Sequence, residues 1–78
     1  MFGKKNIEVV SFTVNDMNCG HCEKRITDAL KKIPGVDSVK AESSTKLVEV
    51  KVFTNTRPSD QILTDTIGLA GYTGVVNI

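Results

Sequence analysis

Apolar residues along this chain change their spacing from every second residue to roughly every 3.6 and back again, and the cycle occurs twice within 78 residues. Residues 7–14 read I-E-V-V-S-F-T-V, with Val10, Phe12 and Val14 on one side and many β-branched residues, which predicts a strand. From Cys22 the apolar positions become Cys22, Ile26, Ala29, Leu30 and Ile33, while Lys24, Arg25, Asp28, Lys31 and Lys32 fall elsewhere. That pattern predicts an amphipathic helix. Pro34-Gly35 cannot prolong it, because proline lacks an amide donor and glycine favours the backbone angles of a helix stop.

Val36, Val39 and Ala41 then predict a second strand, and Ser43-Ser44-Thr45 a turn. Residues 46–53 return as a third strand with Val48, Val50 and Val52 on one side. Residues 55–59 are loop by composition. Ser59 is the expected N-cap of a second helix whose stripe is Ile62, Leu63, Ile67 and Ala70 and which runs out near Gly71. Gly68 inside that helix costs up to ~1 kcal/mol relative to alanine. Residues 72–78 are expected to form a short closing strand. The order β-α-β-β-α-β is that of the ferredoxin-like split βαβ unit, an α+β sandwich in which two helices cover one face of an antiparallel four-stranded sheet. A fold of this kind hosts many functions, so function must be sought in a site.

Length and composition narrow the options. A chain of 78 residues has room for one small domain, here expected to span residues 1–78. Ten Lys plus Arg against nine Asp plus Glu give a formal charge of +1, so no global field draws the chain to nucleic acid or anionic lipid. The start MFGKKNIEVV has no apolar run of ~7 to 15 residues after its lysines, and no stretch approaches the ~18 apolar residues of a membrane span. A cytoplasmic location without membrane insertion is the expectation. Met1, with a fold completed in this length, is expected to mark a whole protein rather than an excised transporter domain.

The candidate chemistry lies in M-N-C-G-H-C, residues 17–22. Cys19 and Cys22 close too small a loop to staple distant parts of a fold, so their role is chemical. On the predicted layout Cys19 lies in the loop after the first strand and Cys22 in the first turn of the helix, where unpaired amides and the helix dipole favour thiolate. Thiolate serves two kinds of chemistry. As a redox dithiol, C-G-H-C is the sequence of protein disulfide isomerases. Their thioredoxin-like class resembles W-C-x-x-C with a downstream proline facing the sulfurs, whereas this chain has no tryptophan and its prolines are Pro34 and Pro58. As a metal clamp, two soft thiolates suit Cu(I), for which two ligands suffice. Closed structural zinc sites take four, and only His21 stands near as a third.

Several segments together resemble the heavy-metal-associated domain family, of the bacterial copper-chaperone type. M17-N-C-G-H-C22 resembles its M-x-C-x-x-C motif, I33-P-G-V36 its helix end, V48-E-V-K-V52 its third strand and I67-G-L-A-G-Y72 its I-x-x-A-G-Y ending. The resemblance implies Cys19 and Cys22 as the metal ligands. It also implies Cu(I) as cargo, and a copper-transporting P-type ATPase or its metal-binding domain as partner, with a metal-bridged homodimer as a further possibility. Met17 is then expected to pack inward and fix the loop, and Tyr72 to stand beside the metal loop. Asp16 stands where the family usually has glycine; its carboxylate near the thiolates keeps zinc, cadmium and mercury open as cargo.

His21 is expected to be solvated, pointing away from the sulfur pair. Lys24, Arg25, Lys31 and Lys32 form either a solvated face or a docking surface for an acidic partner, diluted by Glu23 and Asp28. The expected function is that of a non-enzymatic metallochaperone which passes Cu(I) to a partner by ligand exchange. The alternatives are a divalent heavy-metal carrier and a thiol-disulfide oxidoreductase.

Overall fold

A computed structural model describes residues 6–77. Its elements are β1 (Ile7–Thr13), α1 (Gly20–Lys31), β2 (Val36–Glu42), β3 (Leu47–Phe53), α2 (Asp60–Leu69) and β4 (Val75–Val76), with a 3-10 turn at Thr54–Thr56 between β3 and α2. The strands form one sheet in the order β2-β3-β1-β4, and every neighbouring pair is antiparallel. This is the ferredoxin-like arrangement expected from the order of elements.

Alternation along the central strands makes the two faces of the sheet unequal. Val10 and Phe12 of β1 and Val48, Val50 and Val52 of β3 are buried on the inner face, joined by Cys22, Ile26 and Leu30 of α1 and by Leu63 and Ile67 of α2. Full burial of a side chain such as Phe12 or Leu30 contributes roughly 1.5–3 kcal/mol. Val9 on the opposite face is 52% exposed, and its cross-strand neighbour Lys51 is exposed as well. Both helices therefore share one side.

Three sequence expectations are adjusted. Ile62 is 49% exposed rather than part of the buried stripe: Leu63 and Ile67, one turn apart, face the sheet, and Ile62 lies a third of a turn away. α1 ends at Lys31, and Ile33 packs against the core from the turn that follows. The closing strand is only Val75–Val76, paired with Thr13 and Phe12, because the preceding backbone must pass close to Ile67. A Cβ on the buried Gly74 would stand 2.8 Å from Ile67 Cδ1. Ile78, at the far end of the predicted strand, lies outside the described residues.

The ends of both helices follow from local chemistry. Ser59 Oγ accepts from the Ile62 amide at 3.2 Å, as expected of an N-cap. At the far end of α2, Gly71 takes φ 100° while the Tyr72 amide donates to Ile67 O (3.2 Å) and the Gly71 amide to Gly68 O (3.0 Å), the two bonds of a Schellman motif. After α1, Gly35 has φ 94°, and a Cβ there would run into the Thr56 carbonyl. Both the left-handed angle and the close approach exclude a side chain. Gly35→Ala is therefore expected to destabilise the fold by more than about 1 kcal/mol in urea unfolding; an unchanged midpoint would contradict this packing.

Candidate metal centre

The cysteine loop is built from the core outward. Val14 and Met17 are fully buried, and the turn between them is closed by the Met17 amide donating to Val14 O at 3.1 Å. Met17 thus packs in the core as expected, with its thioether away from solvent. Asn18 leads to Cys19, which is the N-cap residue of α1 with extended backbone (φ −154°, ψ 170°) and no side-chain capping bond. Its sulfur turns instead toward Cys22, one helical turn on. The two Sγ atoms are 3.0 Å apart, Cys19 exposed and Cys22 only 9% exposed. A disulfide would need about 2.05 Å, so these are two free thiols sharing a hydrogen.

The surroundings favour charge on Cys22, whose pKa is lowered to about 7. The largest cause is the hydrogen bond from Cys19, followed by the Tyr72 hydroxyl, with the Asn18 and Cys19 amides also turned toward the sulfur and partial burial opposing them. Reciprocally, the thiolate beside it raises the pKa of Tyr72. The Schellman bonds at Gly71 are what bring Tyr72 there. Tyr72 also packs against the core, so its structural and its site roles coexist.

The other candidates are placed differently. Asp16 directs both carboxylate oxygens to the Thr73 amide, 3.2 Å from each, and so ties the cysteine loop to the segment that follows Tyr72. His21 is exposed, and among the described residues no group of three or more His, Cys, Asp or Glu side chains converges. Lys24, Arg25, Lys31 and Lys32 are all exposed. Two contacts from the β2–β3 turn were not anticipated. The Ser43 amide donates to Glu23 Oε2 at 2.7 Å, which holds the Glu23 carboxyl below its usual range. Lys46 Nζ donates to Met17 O at 2.9 Å and to Asn18 Oδ1 at 2.7 Å. Nothing in local sequence pattern pairs residues this far apart.

The heavy-metal-associated domain model matches residues 11–73, a span that includes the cysteine loop, both helices and Tyr72. The chain belongs to the heavy-metal-associated domain family. Among solved structures of this kind, the CopZ metallochaperone is 29% identical over 88% of this chain and 98% of its own, with a TM-score of 0.77. Oxidised MerP from Ralstonia metallidurans CH34 is 29% identical over 92% and 99%, with a TM-score of 0.82. The N-terminal domain of a potential copper-translocating P-type ATPase from Bacillus subtilis, in its Cu(I)-loaded state, is 26% identical over 90% and 86%, with a TM-score of 0.81. This heavy-metal-associated domain is thus similar both to copper chaperones and to ATPase N-terminal domains, and it carries a cysteine pair at residues 19 and 22.

The environment of Cys22 has a pH consequence for the metal-free protein. Its folded pKa lies below that of an unfolded thiol, so its contribution to stability is fully present above about pH 8.5 and is lost as the pH falls through about 7. Alkylation of Cys22 by iodoacetamide is expected to be half-maximal near pH 7, and Tyr72→Phe to move that midpoint upward. Superimposable profiles would remove the hydroxyl from this account.

Proposed function

We propose that Cys19 and Cys22 bind one Cu(I) and that the domain is a non-enzymatic carrier which hands the ion to a partner metal-binding domain. The observation that carries this reading is the pair of free sulfurs 3.0 Å apart at a helix start, with no third ligand converging among the described residues. Two soft thiolates suit a soft ion content with few ligands, whereas closed structural zinc sites take four. The likeness to a metallochaperone and to a Cu(I)-loaded ATPase domain supports the same cargo.

Loading asks for movement at one sulfur. An ion bonded at ~2.3 Å to each of two sulfurs, at angles from tetrahedral to linear, holds them about 3.8–4.6 Å apart. Exposed Cys19, whose sulfur makes no capping bond, is free to swing outward while buried Cys22 stays. Each thiol that still carries a proton loses it on binding.

An open coordination shell then permits exchange: a partner thiolate adds to the ion before Cys19 or Cys22 departs, so the ion passes without ever being bare. The partner in this reading is a copper-transporting P-type ATPase or its metal-binding domain, met in the cytoplasm, and exposed Lys24, Arg25, Lys31 and Lys32 suit an acidic counterpart. No described helix is long and apolar enough to cross a membrane. Asp16, its carboxylate already occupied by the Thr73 amide, adds little to a divalent site.

Anaerobic titration of the reduced protein with Cu(I) against a chelator, read by native mass spectrometry, is expected to give one ion per chain. It should also give much weaker binding for Cys19→Ser or Cys22→Ser. Undiminished binding by the double serine variant would overturn the assignment. Preference for Zn(II) under reducing conditions would favour the divalent carrier, and a two-chain, one-ion species the metal-bridged dimer.

A further inference from the structure

Lys46 lies in the turn between β2 and β3, well away in sequence from the cysteines, and two unusual features meet there. Its backbone has φ 62°, the sole positive φ outside glycine among the described residues. Such an angle is uncommon for a residue with a Cβ and is kept only where the surroundings hold it. Its side chain is ordered as well: the ammonium reaches across to the cysteine loop and donates to Met17 O at 2.9 Å and Asn18 Oδ1 at 2.7 Å. Lys46 O in turn accepts from the Val14 amide at 2.8 Å. Lysine has much rotamer freedom to lose when held in this way, and charge-assisted hydrogen bonds are strong enough to offset that loss.

Met17 O and the Asn18 N–H belong to one peptide group. That peptide is trans, so its carbonyl and its N–H point in opposite directions. With the carbonyl held by the ammonium on one side, the orientation of the Asn18 N–H on the other is fixed as well. Asn18 Oδ1 on the same ammonium fixes the residue immediately before Cys19.

We propose that Lys46 is a positioning residue for the metal loop: by holding the Met17–Asn18 peptide and the Asn18 side chain from the β2–β3 turn, it fixes the orientation of the Asn18 amide and sets the chain direction into Cys19. Lys46 touches no cargo. It acts through one peptide plane, and its φ is tolerated because the left-handed turn is what carries the side chain over the loop. This assignment deepens the carrier reading and rests on it for its binding readout.

The test uses Lys46→Gly, which adopts φ 62° without strain and lacks the ammonium. Its thermal midpoint is expected to stay within a few degrees of the parent. In the metal-free protein, amide hydrogen exchange at Asn18 should quicken, and Cu(I) affinity by chelator competition should fall about tenfold, the lower end of what loss of an outer-shell partner costs. Thr45→Ala serves as control, since it removes the 3.0 Å bond from Thr45 Oγ1 to Glu42 Oε1 in the same turn and leaves Met17 and Asn18 untouched; it should leave both readouts unchanged. If the glycine variant fails to fold, Lys46→Met keeps the aliphatic stem and should show the same two changes.

Affinity within about twofold of the parent overturns the proposal. So does a fall in affinity with Asn18 exchange unaltered, since the effect would then run through charge alone, and so does an equal loss in Thr45→Ala. A parent protein that binds no Cu(I) overturns the carrier reading instead, and Asn18 exchange by itself then decides the role of Lys46.

Discussion

Burial of Met17 is the constraint on which the cysteine loop depends, because a connection between a strand and a helix normally runs over the surface and is free to move. Here its midpoint is sunk into the core with no exposed area, beside fully buried Val14 and Phe12. Withdrawing Met17 would expose its side chain and leave a void among close-packed neighbours, a cost that large-to-small core substitutions put at roughly 2–5 kcal/mol. The chain must therefore leave the core at Asn18 and enter α1 at Gly20, and the space between is just sufficient for Cys19 to cap the helix in extended conformation. Both sulfurs then fall on the same rim of the molecule, one turn of helix apart. A reactive pair is thus presented at the surface by a loop that is anchored beneath it.

Hydrogen bonds to two distant connections complete the anchoring. Asp16 reaches the Thr73 amide after α2, Lys46 reaches Met17 and Asn18 from the β2–β3 turn, and the Ser43 amide reaches Glu23 in the first turn of α1. Each of these contacts has a charged side chain on one side, and all but that of Lys46 with Asn18 Oδ1 have a backbone group on the other, a pairing stronger than one between neutral groups. The Schellman end of α2 adds Tyr72 beside Cys22. The cysteine rim is therefore the meeting point of three connections that lie far apart in sequence. In the proposed carrier reading, only the exposed Cys19 sulfur needs to move while the rest of the rim keeps its shape.

Much of the fold was legible because burial on one side imposes a period. Val48, Val50 and Val52 alternate and are buried; Cys22, Ile26 and Leu30 recur at helical spacing and are buried. Caps were legible too, since Ser59 and Gly71 act through bonds to residues within five positions of themselves. The errors have a common cause. Ile62 falls in the apolar stripe by sequence because hydrophobicity marks what can be buried, whereas the angle of α2 against the sheet decides what is. The closing strand is shorter than the pattern at residues 72–78 suggests, and the close passage of Gly74 by Ile67 leaves no trace in a local pattern. The bulge where β2 shifts register between Val36 and Ser38 was likewise invisible.

At the site the division is similar. The cysteine spacing, the softness of sulfur and the expectation that Met17 packs inward could all be read from six consecutive residues together with their place between a strand and a helix. Asp16 shows the boundary of such reading: sequence places its carboxylate near the thiolates, yet the fold directs both oxygens to the Thr73 amide. From residues alone one can read that a pair of soft sulfurs stands where a strand gives way to a helix, because that depends on side-chain chemistry and on periods of two and 3.6 residues. What holds that pair in place follows from the assembled sheet, because its strand order brings the distant segments carrying Lys46 and Thr73 to one rim.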